Sequence, residues 1–227
     1  MGSPLLLDLP GHGRRRGDVA PWRHSLEAVE GEIDVLARGR PLDLVGYSMG
    51  GRLALAYAVR NPERVRRLVL ESASPGLVTE EQRSARRDAD EALAQRLERD
   101  GMPAFVEHWE ALPLFESQRA LPEEVRVRRR AQRLRNHPAS LAASLRGLGT
   151  GSMPSYWGSL PRLGVPVLVL VGGLDRKFTE IGRRMAEALP AATLTVVPDA
   201  GHTVHLERPE AWLEAVVPFL SERGSQV

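Results

Sequence analysis

Apolar positions along this chain fall into two periods, and the switches between them divide it. Leu5–Leu9 is a short apolar run ending in Pro10-Gly11-His12-Gly13, which predicts a strand running into a turn. Over Ser25–Arg38, Leu26, Val29, Ile33 and Leu36 recur at helical spacing. Leu42–Val45 reads as a second strand stopped by Gly46, Gly51–Val59 as a buried helix of small apolar residues, and Val65–Glu71 as a third strand. From about Thr79 to Leu148 no strand pattern appears. Thr79 and Gln82 have the spacing of a capping box. The segments Glu80–Asp100, Pro103–Glu110, Glu123–Arg135 and Pro138–Arg146 read as helices broken by Gly and Pro. Strand signals return at Val165–Val171 and Thr193–Val197, and Glu210–Leu220 closes the chain as an amphipathic helix.

Strands alternating with helices predict an α/β fold, a parallel sheet with helices on both faces. The all-helical block predicts a lid inserted after the third strand, above the strands' carboxyl ends, where open α/β sheets bind ligands. The expected division is a core of residues 1–76 and 149–227 and a helical lid of residues 77–148.

Composition narrows the function classes. The chain has 227 residues, enough for one domain with an insertion, and no cysteine, so disulfides, thiol catalysis and thiolate metal sites are excluded. The longest apolar runs are far too short to span a bilayer, and no signal-peptide pattern opens the chain, so a cytoplasmic location is expected. Net charge is only +2, and Lys177 is the single lysine among 31 basic residues. The arginines are interleaved with acids and lack aromatic companions, which argues against a nucleic-acid partner. No histidine pair has metal-ligand spacing, and no cofactor is called for. A small-molecule polycarboxylate substrate is expected, with a monomer favoured and an oligomer left open.

Candidate chemistry centres on Gly46-Tyr47-Ser48-Met49-Gly50, a G-x-S-x-G motif between a predicted strand and a predicted helix. Such a turn lifts a serine hydroxyl clear of the sheet toward a helix N-terminus, and the Met49 amide becomes a natural oxyanion donor. Asp175 and His202 each follow a predicted strand, and the order Ser, Asp, His is that of α/β-hydrolases. In a triad the carboxylate orients the imidazole, which accepts the serine proton. His205 is the nearest rival for the base. Arg52, one helical turn after Ser48, is either a side chain snorkelling to water or a carboxylate clamp. Lys177 is either a solvated loop residue or a second anion contact beside Asp175. The lid arginines are mostly expected to be solvated, with a few facing a polyanionic, carboxylate-bearing substrate.

A wider set of motifs runs in order along the chain. It comprises Asp8-Leu9-Pro10-Gly11-His12-Gly13, Gly46–Arg52, Glu71–Leu77, Phe105–Glu110, Ser144–Gly151, Asp175–Phe178 and Ala200–His205. Together these resemble the 2-succinyl-6-hydroxy-2,4-cyclohexadiene-1-carboxylate synthases of menaquinone biosynthesis over nearly the whole chain. The resemblance implies a lyase rather than a hydrolase. Ser48, activated by His202 with Asp175 orienting the ring, would take the proton α to the succinyl ketone of 2-succinyl-5-enolpyruvyl-6-hydroxy-3-cyclohexene-1-carboxylate, and pyruvate would be expelled. It also implies substrate contacts for Tyr47, Arg52, Arg83, Trp109, Arg133, Lys177 and Phe178. The family begins some tens of residues earlier, with strands and an H-G loop that supplies a second oxyanion amide. N-terminal strands of the usual fold are therefore expected to be missing here, through a start placed too far downstream or through truncation with a rearranged sheet. Two other functions compete: an ester or carbon–carbon hydrolase using Ser48 covalently, and a truncated chain with an incomplete oxyanion hole and no activity.

Overall fold

The computed structural model describes residues 4–17 and 19–221. In chain order the elements are α1 (Trp22–Ala37), β1 (Leu42–Tyr47), α2 (Met49–Arg60), β2 (Val65–Glu71), α3 (Glu80–Glu110), α4 (Glu123–Leu134), α5 (Pro138–Leu148), β3 (Val167–Gly172), α6 (Arg176–Ala188), β4 (Ala192–Val197), α7 (Val204–Glu207) and α8 (Pro209–Ser221). They fall into two compact units. One contains residues 39–74 and 159–221, the other residues 6–38 and 75–158.

The first unit is built on a parallel sheet whose strands lie side by side in the order β1-β2-β3-β4. Every residue of β3 is buried, as its unbroken apolar run requires of an inner strand flanked on both sides. Leu168 and Leu170 of β3 join Val69, Val197, Val204 and Val216 in one apolar cluster, closed from α8 by Trp212 and Phe219. Helix α2 is buried from Leu53 to Ala58, which explains its small apolar composition.

Helix α6 has no counterpart in the sequence reading, which places no element between the Val165–Val171 and Thr193–Val197 strands. Its buried residues are Thr179, Gly182 and Met185. That face is readable, since Phe178, Ile181 and Met185 recur at helical spacing, and it packs closely on β3: a Cβ at Gly182 would sit 3.0 Å from a Val171 methyl. Conversely, the strand expected over Leu5–Leu9 is absent. Leu5 and Leu6 are 67% and 92% exposed, and the segment joins no ladder. An apolar run becomes a strand only where a neighbour accepts its backbone groups, and periodicity does not supply one.

In the second unit Thr79 caps α3 as its spacing predicts: its side chain accepts the Gln82 N–H while the Gln82 side chain accepts the Thr79 N–H. Helix α3 breaks at Gly101 (φ 78°), where the sequence divides it. Its two halves and α5 share a core of Ala94, Leu97, Met102, Phe105, Val106 and Ala142. Among the described residues no helix is long and apolar enough to cross a membrane.

The loop before α1 carries a pH-sensitive group. Burial lowers the His12 pKa from its ordinary value, against the opposing pull of the Pro10 carbonyl that accepts from Nδ1 at 3.1 Å. A histidine depressed in the folded state binds its proton more readily when unfolded. Its contribution to stability is therefore intact above the unfolded pKa of about 6.5 and falls as pH drops through that value toward the folded one. Urea midpoints at pH 7.5 and 5.5 should differ less for His12→Asn than for the parent chain. Equal differences would show that His12 is not responsible.

Candidate active site

Ser48 lies between β1 and α2 with φ 49° and ψ −109°, a left-handed conformation strained for a residue with a side chain. The glycines around it are required by contact. A Cβ at Gly46 would stand 2.6 Å from the Gly51 Cα, and one at Gly51 would stand 2.5 Å from the Ala73 Cβ. Strand and helix thus meet almost backbone to backbone, and the serine is left at the tip. Its N–H donates to the Glu71 carbonyl on β2 at 2.8 Å, which ties the elbow to the next strand. Met49 is the first residue of α2, so its amide is one of the helix's N-terminal donors without an intrahelical acceptor position.

Asp175 caps α6 with one oxygen and holds His202 with the other. Oδ1 accepts the Phe178 N–H at 3.2 Å, and Oδ2 accepts His202 Nδ1–H at 2.7 Å. With Nδ1–H so committed, Nε2 is the acceptor for the Ser48 hydroxyl, 3.0 Å away. His202 is 1% exposed. Its ring is flanked by Phe178 at 4.6 Å and Tyr47 at 5.4 Å between centroids. The imidazole therefore has little freedom to leave this line.

Glu207 is a member of this site that the sequence reading missed. It is buried, and its carboxylate accepts the N–H of Gly201 at 2.6 Å and of Thr203 at 3.1 Å, the residues on either side of His202. The available signal was an acid five residues after the histidine, before a proline-opened helix. His205, the rival base, points its Nδ1 at the Glu71 carboxylate, 2.9 Å from each oxygen.

The remaining predicted residues divide between the two units. Arg52 is half-buried on α2, and its backbone N–H donates to the Ser48 carbonyl. Lys177 is exposed in the first turn of α6 rather than in a loop, with Nζ 5.8 Å from the centroid of the Phe178 ring. A cation there opposes the helix dipole. In the other unit Trp109 stacks on Phe105 and meets Phe115, and the Arg133 guanidinium lies 5.4 Å above the Phe115 ring and donates to Glu110. Those two belong to one cluster. Arg83 stands apart from it, bonded to Glu80 and to the Leu77 and Val78 carbonyls.

Close packing at Gly172 joins the two loops that carry Asp175 and His202. A Cβ there would collide with the carbonyl oxygens of Ala200 and Gly201, immediately before His202. Gly172→Ala should displace the imidazole by about 1 Å and lower turnover about 10²-fold, with a lower melting temperature. Turnover within threefold of the parent would show that the loop adapts without moving the ring.

A strained serine at a strand-to-helix turn, hydrogen-bonded to an imidazole and through it to a carboxylate, on a parallel sheet, defines a class. The chain belongs to the alpha/beta hydrolase family, whose model matches residues 3–215. Within that class its relatives are 2-succinyl-6-hydroxy-2,4-cyclohexadiene-1-carboxylate synthases, and it is a member of that family. A Bacillus subtilis (strain 168) protein provisionally so named is 43% identical over 220 residues, 96% of this chain and 80% of the relative. The synthase of Serratia proteamaculans (strain 568) is 32% identical over 97% of this chain and 84% of its own length. The solved structure of MenH from S. aureus superposes with a TM-score of 0.89 at 37% identity, over 94% of this chain and 81% of that one.

Proposed function

We propose that this chain is a carbon–oxygen lyase that eliminates pyruvate from 2-succinyl-5-enolpyruvyl-6-hydroxy-3-cyclohexene-1-carboxylate in menaquinone biosynthesis. The observation that carries the reading is the Ser48–His202–Asp175 hydrogen-bond line, held in a chain of this synthase family.

The chemistry follows from that line. Ser48 Oγ passes its proton to His202 Nε2, while Asp175 holds the ring and offsets the charge it gains. The oxygen so activated takes the proton α to the succinyl carbonyl. The electron pair delocalises into a dienolate, whose oxygen the Met49 amide would meet. Collapse of the dienolate forms the ring double bond and breaks the carbon–oxygen bond to the enolpyruvyl group. That group recovers a proton and leaves as pyruvate. Ser48 thus acts as a base and carries no covalent intermediate.

Such a substrate bears three carboxylates. Arg52 and Lys177 in the core unit, with Arg83 and Arg133 in the helical one, are the cations this reading assigns to them; Tyr47, Trp109 and Phe178 are its apolar and aromatic contacts. Support comes from Lys177, the only lysine, which stands against the dipole of α6 two residues from Asp175. The reading takes residues 77–148 as a lid and the enzyme as a cytoplasmic monomer with a small-molecule substrate and no cofactor.

Release of pyruvate from the cyclohexene substrate, followed by a coupled lactate dehydrogenase assay, tests the proposal. Rapid turnover of p-nitrophenyl esters with no pyruvate would replace it with a serine hydrolase.

A further inference from the structure

Beside the Asp175–His202 pair, the core unit holds a second carboxylate–imidazole pair. Glu71 ends β2 and is 1% exposed. Its carboxylate accepts three N–H groups: His205 Nδ1 at 2.9 Å, the His205 backbone at 3.1 Å and Trp212 Nε1 at 2.9 Å. All three donors lie in the segment that follows His202. The Glu71 main chain holds a different partner, because its carbonyl accepts the Ser48 N–H. One residue therefore grips the elbow with its backbone and the histidine segment with its side chain.

Tyr47 closes the circuit. The sheet register sets it opposite Glu71. Its ring lies edge-on to His205, 5.1 Å between centroids at 75°, and tilted against His202 at 5.4 Å. Its hydroxyl is hydrogen-bonded to Thr203 Oγ1 at 2.8 Å, beside His202. The residues that follow this cross-strand pair, Ser48 and Ser72, both have positive φ (49° and 46°). Backbone strain persists where the surroundings over-determine it, and these bonds are such surroundings. A buried acid is also a costly way to obtain stability alone, since an apolar residue of similar size usually does as well.

We propose that Glu71 and His205 form a positioning dyad for the Ser48–His202 pair. Glu71 fixes the His205 ring, His205 fixes the ring of Tyr47, and Tyr47 sets the face that His202 presents to Ser48. Neither dyad residue touches the reacting atoms. The inference rests on the reading of Ser48 as the activated group, but not on which substrate it serves.

The test is the rate at which an uncharged alkyl fluorophosphonate labels Ser48, followed by mass spectrometry. In that reaction the serine oxygen bonds to phosphorus, fluoride leaves, and the serine proton passes to His202. The rate thus reads the Ser48–His202 geometry without the natural substrate. Glu71→Gln and His205→Phe should each slow labelling about tenfold, and should lower kcat for pyruvate release with KM unchanged. Trp212→Phe removes a Glu71 donor outside the Tyr47 circuit; it should lower the melting temperature and leave labelling within twofold of the parent. The dyad is overturned if Glu71→Gln and His205→Phe label as fast as the parent, or if Trp212→Phe slows labelling as much as they do. Should Glu71→Gln fail to fold, His205→Phe decides. A parent chain that is not labelled at all overturns the Ser48 reading and the dyad with it, whereas labelling without pyruvate release overturns only the lyase.

Discussion

Ser48→Ala should lower pyruvate release about 10⁴-fold while the protein folds and melts much as before. A positioned general base contributes roughly 10²–10⁴ in rate, and a residue that acts as one unit with its partner lies at the upper end. The hydroxyl sits at the tip of a strained turn, so the alanine relieves no packing and removes no core atom. The hydrogen-bond line makes a second statement. If Ser48 and His202 act together, 3.0 Å apart, the double variant Ser48→Ala/His202→Ala should be no slower than either single one. Multiplicative losses would mean that the two residues work independently. The parent enzyme, quenched during turnover, should show no mass added to Ser48, because a base carries no acyl group. A trapped adduct would restore the covalent nucleophile.

Asp175→Asn should separate catalysis from folding. Asparagine caps a helix about as well as aspartate, so its side-chain oxygen can still accept the Phe178 N–H that Asp175 Oδ1 accepts now. The thermal midpoint should move by no more than roughly 4 °C, the shift that about 1 kcal/mol gives a chain of this size. Turnover should nevertheless fall about 10³–10⁴-fold. The amide nitrogen would donate to His202 Nδ1, push the ring proton to Nε2, and leave no acceptor for the Ser48 hydroxyl. A loss of less than tenfold would mean that Asp175 is a helix cap and little more. Asp175→Ala completes the comparison, since it should lose both the cap and the rate.

The elbow was legible because its demands are local. A strand, a strained serine and a tightly packed helix need small residues at fixed offsets, and Gly46, Gly50 and Gly51 supply them within six positions. Asp175 and His202 could be marked because each follows a strand that announces itself by an apolar run. The helical segments of residues 80–148 were readable for the same reason: caps and breakers such as Thr79, Gly101 and Pro138 act within a turn or two of themselves.

The sequence reading departs from the structure at two segments. Helix α6 repeats Phe178, Ile181 and Met185 at helical spacing, a local signal that the reading of this segment left out. Leu5–Leu9 has the composition of a strand but no ladder to join.

By itself, the order of residues determined the strand-helix alternation and the elbow, and it marked Ser48, Asp175 and His202 as candidates with His205 as a rival, because each mark depends on propensity or spacing within a few residues. Only the tertiary structure decided that His202 rather than His205 faces Ser48, that Asp175 divides its two oxygens between a helix cap and an imidazole, and that Glu71 and Glu207 hold the segments between them. Those bonds join residues as much as 154 positions apart. A hydrogen bond is satisfied by direction and distance in space, and no local period along the chain encodes either.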